Sequence, residues 1–289
     1  MDVKRIIVTL LECRELFRET LHPLVSSREA DLYFKMLLEH HFNWDASFLG
    51  LNPQYILTSS QLLKVEKGLF ELTKNRPIQQ VLEQAWFRDF KLRVSPDVLI
   101  PRPETEELVD WILEDHKKLT QKQSVLEVGT GSGCVAIALA KEQSQFQMTA
   151  IDVSEPALHI AKHNAKKHKA KIEFSLHNIL TTPLNKSYHI IVSNPPYIGW
   201  DEKNEMEKKV LDYEPHLALF APKDDPLLFY KVIMNQAKEH LQPKGQIYFE
   251  INPIFLEELS TSIKSSAMFK MSIRKDIFGK NRFLRLVKT

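Results

Sequence analysis

The spacing of apolar residues divides the chain into a first part with a helical period and a second part with short strand-like runs. Residues 1–80 carry Leu, Phe, Met and Glu at helical spacings, as in EADLYFKMLLEHHF, and contain only two glycines, Gly50 and Gly68. Apolar positions that recur every three or four residues are typical of amphipathic helices. We therefore predict a small N-terminal domain of several short helices over residues 1–80.

Residues 81–100 have a different pattern, which predicts a β-hairpin that links two domains. The segment WFRDFKLRVS contains an alternation of apolar and polar residues, and Pro96 and Asp97 then offer a turn into the apolar run VLI. Such alternation is typical of a half-buried strand. A helix is predicted to follow, because Pro103 suits the first helical position and glutamates fill the first turn.

Over residues 101–289, after that first helix, short apolar runs alternate with helical segments. This alternation predicts an α/β domain with a mostly parallel sheet and helices on both faces. Helices are expected to begin near Cys134, Glu155, Leu228 and Phe255. The last two strands have no helix between them and are expected to pair as an antiparallel hairpin. The predicted strands are SVLEVG, QMTAID, KIEFSL, HIIVSN, GQIYFEI, MSIRKDI and FLRLV.

The composition argues against several classes of protein. The 289 residues are 43% apolar, which suffices for a large core, and 39 Lys and Arg against 37 Asp and Glu leave a formal charge of +2. That charge argues against a broad phosphate-binding face, so we expect no direct nucleic-acid substrate. No apolar run reaches the length of a membrane span, so no membrane is expected.

The cysteines and histidines bear on the compartment and on metal binding. Cys13 and Cys134 are far apart, which fits a reducing compartment, and the cytoplasm is the expected location. His159 and His163 are four residues apart on a predicted helix but lack a third ligand at a zinc-like spacing. No metal site is predicted.

A glycine-rich loop follows the first strand of the predicted sheet. VLEVGTGSG places Gly129, Gly131 and Gly133 between that strand and the helical run CVAIALA. Glycines here allow a sharp turn and the close approach of a ligand, and the helix N-terminus offers free N–H groups. Asp152 ends the second strand, where a carboxylate can accept hydrogen bonds from ribose hydroxyls. We favour an adenosyl ligand over the alternatives, which are a tight turn without a ligand and a helix cap at Asp152.

The segment SNPPYI, residues 193–198, follows the fourth strand of the predicted sheet. Its two prolines cannot continue a central strand, so we expect a rigid loop beside the crevice where open α/β sheets bind ligands. The loop can direct the Asn194 side-chain carbonyl, the Pro195 backbone carbonyl and the Tyr197 ring at one small planar group. Two acceptors and a flat face suit an sp² NH₂ group. The alternative for Tyr197 is an aromatic residue of the core.

Several segments in a fixed order carry a resemblance to a known family. They are VLIPRPETEELV (98–109), VLEVGTGSG (125–133), SNPPYI (193–198), DYEPHLALF (212–220) and DIFGKNRFLRL (276–286). The glycine-rich loop and the Asn-Pro-Pro-Tyr motif resemble those of S-adenosylmethionine-dependent methyltransferases that modify amide or exocyclic amino nitrogens. The ordered set resembles the protein-glutamine N5-methyltransferases that act on peptide chain release factors.

The resemblance implies a fold, a cofactor and a substrate. The fold is a seven-stranded, doubly wound, Rossmann-like methyltransferase sheet, preceded by a small helical domain that helps to bind the protein substrate. The cofactor is S-adenosylmethionine. The substrate is the glutamine in the Gly-Gly-Gln motif of class I peptide chain release factors, whose side-chain N5 receives the methyl group. We expect the enzyme to be a monomer.

The resemblance also implies roles for individual residues. The expected catalytic residues are Asn194, Pro195 and Tyr197, and Pro196 joins them in binding the substrate glutamine. The expected cofactor-binding residues are Gly129, Thr130, Gly131, Ser132, Gly133, Asp152, Asn178, Ile179 and Asn194. This chain departs from the family at Asn178 and Ile179, where many relatives carry an acidic-aromatic pair near the adenine. It departs again at Glu83 and Asn252, where a glycine is common.

Other functions remain open at this point. A DNA adenine N6-methyltransferase uses a similar loop on a similar NH₂ group, but it needs base flipping and a basic recognition region. A ribosomal-protein glutamine methyltransferase would share the motifs. A nicotinamide-dependent oxidoreductase would explain the glycines but not SNPPYI, and a non-catalytic module on the ribosome or a release factor would not need an intact site. Arg102 and Glu104 either shape the mouth of the pocket or only begin a helix.

Overall fold

The structure, a computed structural model, describes residues 8–289. These residues group into two compact units. The first contains the chain as far as Gln84 together with Lys208–Tyr213, and the second contains Ala85–Glu207 and Glu214–Thr289. The domain boundaries expected at residues 80 and 100 stay predictions.

The α-helices of the described residues occur in every part of the chain. They are α1 (Leu10–Leu21), α2 (Ser27–Phe42), α3 (Ala46–Leu51), α4 (Ser59–Thr73), α5 (Ile78–Val81), α6 (Pro103–Asp115), α7 (Cys134–Glu142), α8 (Glu155–Lys167), α9 (Lys208–Tyr213), α10 (His216–Leu219), α11 (Leu228–His240) and α12 (Leu256–Ser266). Short 3₁₀ helices cover Trp200–Glu205 and Pro253–Phe255.

The strands form two sheets. They are β1 (Gln84–Phe87), β2 (Phe90–Arg93), β3 (Gln123–Val128), β4 (Phe146–Asp152), β5 (Ile172–Leu176), β6 (Tyr188–Ser193), β7 (Leu241–Glu250), β8 (Phe269–Lys275) and β9 (Asn281–Lys288). The predicted strands, the helix from Pro103 and the helices near Cys134, Glu155, Leu228 and Phe255 are confirmed.

Helices α1 to α5 belong to the first unit and confirm the helical prediction for this region. Thr9, Ser26 and Thr58 cap α1, α2 and α4, because each side-chain oxygen accepts a hydrogen bond from a backbone N–H of the first turn. The core between these helices is apolar and contains Phe17 and Phe34, whose ring centroids are 5.0 Å apart. Burial of the apolar faces therefore holds this unit together.

The main sheet of the second unit has seven strands in the order β5-β4-β3-β6-β7-β9-β8. The pairs β5–β4, β4–β3, β3–β6 and β6–β7 are parallel, whereas β9 is antiparallel to both of its neighbours, β7 and β8. The antiparallel pair at the end of the chain is as predicted. The order places β6, which carries the proline-rich loop at its end, in the middle of the sheet beside β3.

Successive side chains of the central strands enter two different cores. Ile191 of β6 belongs to a cluster with residues of α11 and α12, and its neighbours Ile190 and Val192 belong to a cluster with residues of α6 and α7. Side chains of a strand alternate between the faces of its sheet. The sheet therefore has helices on both faces, as the alternation of strands and helices predicts.

The predicted hairpin is strands β1 and β2, which belong to the second unit from Ala85 onwards. Phe87 and Leu92 are fully buried in the cluster that contains α6 and α7. Asn164 of α8 clamps the end of β2: its Oδ1 accepts a hydrogen bond from the Arg93 N–H (2.7 Å), and its Nδ2 donates to the Arg93 carbonyl (2.9 Å). The same Nδ2 also donates to the carbonyl of Ser132 at 2.9 Å. One buried amide thus joins the hairpin to the glycine-rich loop.

The sequence pattern predicts no elements between residues 199 and 219, but the structure has several short ones there. They are the 3₁₀ helix Trp200–Glu205 and helices α9 and α10. Elements of four to six residues span little more than one turn, so they show no clear apolar period. Their position is fixed by contacts with distant residues, such as the hydrogen bond from Tyr213 Oη to the carbonyl of Lys74 (2.8 Å).

Candidate active site

A cavity of about 350 Å³ lies at the carboxyl ends of β3, β4 and β6 in the second unit. This volume is at the lower end of the range for small-molecule sites. The predicted site residues that line the cavity are Gly129, Thr130, Gly131, Ser132, Asp152, Asn178, Ile179, Asn194, Pro195 and Pro196. Gly133 and Tyr197 are not among the lining residues. The structure therefore brings together both predicted groups, with these two exceptions.

The glycine-rich loop adopts a backbone that favours glycine at three positions. The φ angles of Gly129, Gly131 and Gly133 are +76°, +53° and +82°. A Cβ atom added to Gly129 or Gly131 would meet nothing within 4 Å, whereas one added to Gly133 would come within 3.2 Å of the Ala161 Cβ. The first two glycines therefore leave free space at the cavity, and Gly133 permits close packing of α7 against α8.

Asp152 holds the glycine-rich loop and the following turn together. Its Oδ2 accepts a hydrogen bond from the Gly131 N–H (2.8 Å), and its Oδ1 accepts one from the Ser154 N–H (2.9 Å). Ser154 itself caps α8, because its Oγ accepts a hydrogen bond from the Ala157 N–H. Each carboxylate oxygen has a second lone pair, so Asp152 can still accept hydrogen bonds from a ligand at the cavity.

Glu127 lies beneath the same loop and is a residue that the sequence analysis missed. It lines the cavity and is 4% exposed, and its Oε2 accepts hydrogen bonds from Thr130 Oγ1 (2.6 Å) and the Ala136 N–H (3.2 Å). Burial raises the pKa of Glu127 to about 8, and the charge of Asp152 adds to the shift. A polar residue inside an apolar strand, directly before the glycines, is the signal that could have identified it.

Asn178 and Ile179 lie at the cavity, at the point where this chain departs from the family pattern. Asn178 Oδ1 accepts a hydrogen bond from the Leu180 N–H at 3.0 Å, which fixes the local turn. Ile179 is buried in the core cluster below the sheet edge. An aliphatic side chain offers a planar ligand van der Waals contact only, without the stacking that an aromatic ring provides.

The SNPPYI loop is held at both ends. Before the prolines, Ser193 Oγ donates a hydrogen bond to the Val128 carbonyl of the neighbouring strand at 2.8 Å. After them, the Ile198 N–H donates to the Leu219 carbonyl, and the Ile198 carbonyl accepts from the Ala221 N–H, both at 3.0 Å. These bonds fix the backbone on either side of Asn194 and the prolines.

Asn194 has one end of its amide bound and the other open. Its Nδ2 donates a hydrogen bond to Thr105 Oγ1 at 3.3 Å. Within residues 8–289, no donor reaches Asn194 Oδ1 or the Pro195 carbonyl, and both residues line the cavity. Two adjacent residues that line the cavity thus each carry an acceptor oxygen without a donor among residues 8–289.

Tyr197 is not among the residues that line the cavity, and its ring packs against the core cluster that contains α11. Its hydroxyl donates a hydrogen bond to Glu250 Oε1 at 2.9 Å, and burial raises its pKa well above the usual value. The Tyr197 carbonyl accepts a hydrogen bond from Asn252 Nδ2 at 3.2 Å, so the asparagine found in place of the family's glycine supports the loop. A direct contact of Tyr197 with substrate stays a prediction. The observed packing of its ring agrees with the alternative, in which Tyr197 is an aromatic residue of the core.

Arg102 lies at the edge of the cavity in an ion pair. Its Nη2 is 2.6 Å from Oε1 of Glu214, a carboxylate with 1% side-chain exposure. The other oxygen of Glu214 accepts a hydrogen bond from the Ile100 N–H at 2.9 Å. Glu104 is not a lining residue. Arg102 lines the cavity and is also the N-cap residue of α6, so both predicted alternatives describe it. Glu214 is a partner that the sequence pattern did not reveal.

Within residues 8–289, no cluster of three or more His, Cys, Asp and Glu side chains could hold a metal ion. His159 and His163 are both exposed on α8. Over the same residues, no helix combines the length and the apolar character that crossing a bilayer requires.

A doubly wound sheet with this glycine-rich loop and Asn-Pro-Pro-Tyr loop defines a methyltransferase. Residues 107–212 match a family model described as a methyltransferase small domain. The catalytic domain of human Mettl16 has a similar fold, with a TM-score of 0.54 and 14% identity over 82% of this chain and 84% of that chain. This likeness supports the seven-stranded Rossmann-like fold that the resemblance implies.

Two relatives with similar sequences narrow the class. The chain is 40% identical over 276 residues to the release factor glutamine methyltransferase of Flavobacterium psychrophilum. This alignment covers 94% of this chain and 97% of that protein. It is 39% identical over 269 residues to the release factor glutamine methyltransferase of Bacteroides thetaiotaomicron, with coverages of 92% and 96%. The chain belongs to the release factor glutamine methyltransferase family, as its motifs indicate.

Proposed function

We propose that this enzyme transfers a methyl group from S-adenosylmethionine to the side-chain amide nitrogen of the glutamine in the Gly-Gly-Gln motif of class I release factors. Membership of the family supports the substrate class. The observation that carries the proposal for the site is the pair of open acceptors, Asn194 Oδ1 and the Pro195 carbonyl, at the cavity. A substrate that acts in translation makes the cytoplasm the expected location.

The residues around the glycine-rich loop fit this cofactor. Gly129 and Gly131 leave space that a side chain would fill, and α7 begins directly after this loop at Cys134. Asp152 has lone pairs for ribose hydroxyls, and Asn178 and Ile179 line the same cavity for the adenine. When bound, S-adenosylmethionine supplies a sulfonium methyl group that is open to displacement by a nitrogen lone pair.

The residues of the SNPPYI loop fit an amide. An amide NH₂ group has two hydrogens in one plane, and the loop offers two acceptors, Asn194 Oδ1 and the Pro195 carbonyl. The nitrogen of an amide is a weak nucleophile because its lone pair is delocalised into the carbonyl. Acceptors that fix both hydrogens also fix the direction of that lone pair, and fixed orientation contributes about 7–11 kcal/mol in well-aligned reactions. Positioning is therefore the main contribution of these residues.

The test is transfer of labelled methyl from S-adenosylmethionine to a purified class I release factor. A release factor with Gln→Ala in its Gly-Gly-Gln motif, a ribosomal-protein fraction and duplex DNA are assayed in parallel. We expect label on the unaltered release factor and none on the variant. Label on ribosomal protein or DNA would instead assign the enzyme to one of those substrates. Binding of S-adenosylmethionine without any methyl transfer would contradict the proposed activity while leaving the cofactor site in place.

A further inference from the structure

Three polar groups connect the cavity with the interior of the second unit. Asn194 Nδ2 donates to Thr105 Oγ1 at 3.3 Å, and Thr105 Oγ1 donates to Glu250 Oε2 at 2.7 Å. Thr105 is 3% exposed and Glu250 is 1% exposed. The three residues come from the loop after β6, the first turn of α6 and the end of β7. We name this chain of hydrogen bonds the acceptor relay.

The direction of the bonds in the acceptor relay follows from its inner end. An ionised carboxylate accepts hydrogen bonds and donates none. The Thr105 hydroxyl must therefore use its only hydrogen on Glu250, and it can meet Asn194 only as an acceptor. Asn194 must then turn its NH₂ group towards Thr105, so its carbonyl oxygen faces the cavity. An asparagine without this constraint could present either end of its amide, since the two ends have almost the same shape.

We propose that Thr105 and Glu250 are positioning residues that make Asn194 present an acceptor, and not a donor, to the group that is methylated. The proposal rests on the proposed function, in which Asn194 accepts a hydrogen bond from a substrate NH₂ group. Reversal of the relay would turn the Asn194 NH₂ group to the cavity, where it would oppose the hydrogens of that substrate. The relay therefore contributes to the choice of an NH₂ group over a carbonyl oxygen at this position.

The surroundings of Glu250 suit this role. Its second oxygen accepts a hydrogen bond from Tyr197 Oη at 2.9 Å, so both oxygens are bound by hydroxyl donors. Tyr230 Oη donates to the Glu250 backbone carbonyl at 3.1 Å and not to the carboxylate, which accepts from Thr105 and Tyr197. Burial raises the pKa of Glu250, and the charge of Glu104 adds to the rise. The hydrogen bonds from Thr105 and Tyr197 and the charge of Arg282 lower this pKa and offset part of the rise.

The first test uses a pair of matched variants at Thr105. Thr105→Val removes the hydroxyl and keeps the shape, whereas Thr105→Ser keeps the hydroxyl. We expect Thr105→Val to lower kcat for the release factor by about 10–100-fold, with the Kd for S-adenosylmethionine changed less than about threefold. Thr105→Ser should retain kcat within about threefold. An unchanged kcat in Thr105→Val, or a loss that appears only in the Kd for the cofactor, would overturn the proposal.

The second test is the pH dependence of kcat at saturating cofactor. A protonated Glu250 can donate to Thr105, which frees the Thr105 hydrogen for Asn194 Oδ1 and reverses the relay. Activity should therefore fall as the pH drops through the raised pKa of Glu250, above the ordinary range of a glutamate. Glu250→Gln, whose amide oxygen can still accept the hydrogen bond from Thr105 but does not titrate, should lack this acid limb. An acid limb that persists unchanged in Glu250→Gln would contradict the role of this carboxylate.

A third measurement tests the hydrogen bonding of the acceptor relay without any protein substrate. The side-chain NH₂ resonances of Asn194 in ¹⁵N-labelled enzyme, assigned by their absence in Asn194→Ala, report the partner of that group. We expect them to shift in Thr105→Val and to stay close to the wild-type positions in Thr105→Ser. If the enzyme methylates another substrate, these shifts still test the relay, so its failure is distinguishable from that of the proposed function. Equal spectra for wild type and Thr105→Val would overturn it.

Discussion

The two halves of the cavity are built in different ways. The half that we propose binds the cofactor, called the cofactor half, is lined by Gly129, Thr130, Gly131, Ser132, Asp152, Asn178 and Ile179 and depends on backbone conformation and on hydrogen bonds such as that from the Gly131 N–H to Asp152. The half that we propose binds the substrate amide, called the amide half, is lined by Asn194, Pro195 and Pro196 and depends on side chains far away in sequence, such as Thr105 and Glu250. The glycine-rich loop of the cofactor half depends on the absence of side chains, whereas the amide half depends on a network of hydrogen-bonded side chains.

The two halves are therefore sensitive to different kinds of substitution. A glycine with positive φ fails when a Cβ is added, and the cost appears first in backbone strain and in the space for the ligand. A hydrogen-bonded network fails when one member loses its partner, and the cost appears in the orientation of the reacting group. We therefore expect changes in the cofactor half to act on cofactor affinity and changes in the amide half to act on kcat.

The largest effect is expected for Asn194→Ala. This change removes one of the two acceptors at the cavity and leaves the prolines in place. We expect kcat to fall by about 10²–10³-fold, the range for loss of one preorganised hydrogen-bonding group in an active site. The Kd for S-adenosylmethionine, measured by calorimetry, should change less than about threefold. A large rise in that Kd with little change in kcat would place Asn194 in the cofactor half instead.

A smaller effect, on the other half, is expected for Gly131→Ala. The added methyl group meets no atom within 4 Å, but the φ of +53° is unfavourable for alanine by about 1–2 kcal/mol. We expect the Kd for S-adenosylmethionine to rise about tenfold, since the methyl group enters the space beside the cavity and the strained loop shifts.

Gly133→Ala is the matched control for this change. Its Cβ would lie within 3.2 Å of the Ala161 Cβ, so the cost should appear mainly as a loss of about 2–3 kcal/mol in the free energy of unfolding. Urea unfolding and calorimetry on both variants separate the two effects. Equal loss of stability in the two variants, with cofactor affinity unchanged in both, would show that the loop serves folding alone.

The sequence predicts the cofactor half more completely than the amide half, for a physical reason. Three glycines between a strand and a helix determine a local backbone, so their role is visible within ten consecutive residues. Asn194 and Pro195 are equally visible in SNPPYI, but Thr105 and Glu250 stand in unremarkable helix and strand contexts. Only the fold brings α6 and the end of β7 to the loop after β6.

Tyr197 illustrates the same limit. Its place in the motif predicts a contact with the substrate, yet the structure turns its hydroxyl towards Glu250. Sequence spacing fixes neither the direction of a loop side chain nor its distant partner. The strand order of the sheet likewise came from the family resemblance, because periodicity defines elements but not their neighbours.

A moderate effect is expected from the titration of Glu127 in the cofactor half. The pKa of about 8 in the folded state lies above the 4.5 of an unperturbed glutamate, so the folded protein binds this proton more tightly than the unfolded chain. The resulting stabilisation is complete below pH 4.5 and is lost as the pH rises towards and through 8. Between pH 6 and pH 8 we expect the free energy of unfolding to fall by about 2 kcal/mol from this group.

Glu127→Gln is the matched variant, because a glutamine oxygen can accept the same hydrogen bonds from Thr130 and the Ala136 N–H. Urea unfolding at pH 6 and pH 8 should show a smaller pH dependence in the variant than in the wild type. Identical slopes would mean that Glu127 is ionised in the folded protein throughout this range.

The smallest effect is expected for Asn252→Ala, which tests how far the network of the amide half extends. Asn252 Nδ2 donates to the Tyr197 carbonyl at 3.2 Å and to Glu202 Oε1 at 2.8 Å, but it contacts neither Asn194 nor Thr105 directly. Loss of these two bonds should lower the free energy of unfolding by about 1–2 kcal/mol. The loop keeps its anchors at Ser193 and Ile198, so kcat should fall only about two- to fivefold, with the cofactor Kd unchanged. A fall in kcat as large as that of Asn194→Ala would show that the orientation of the amide half depends on the far side of the loop as much as on the acceptor relay.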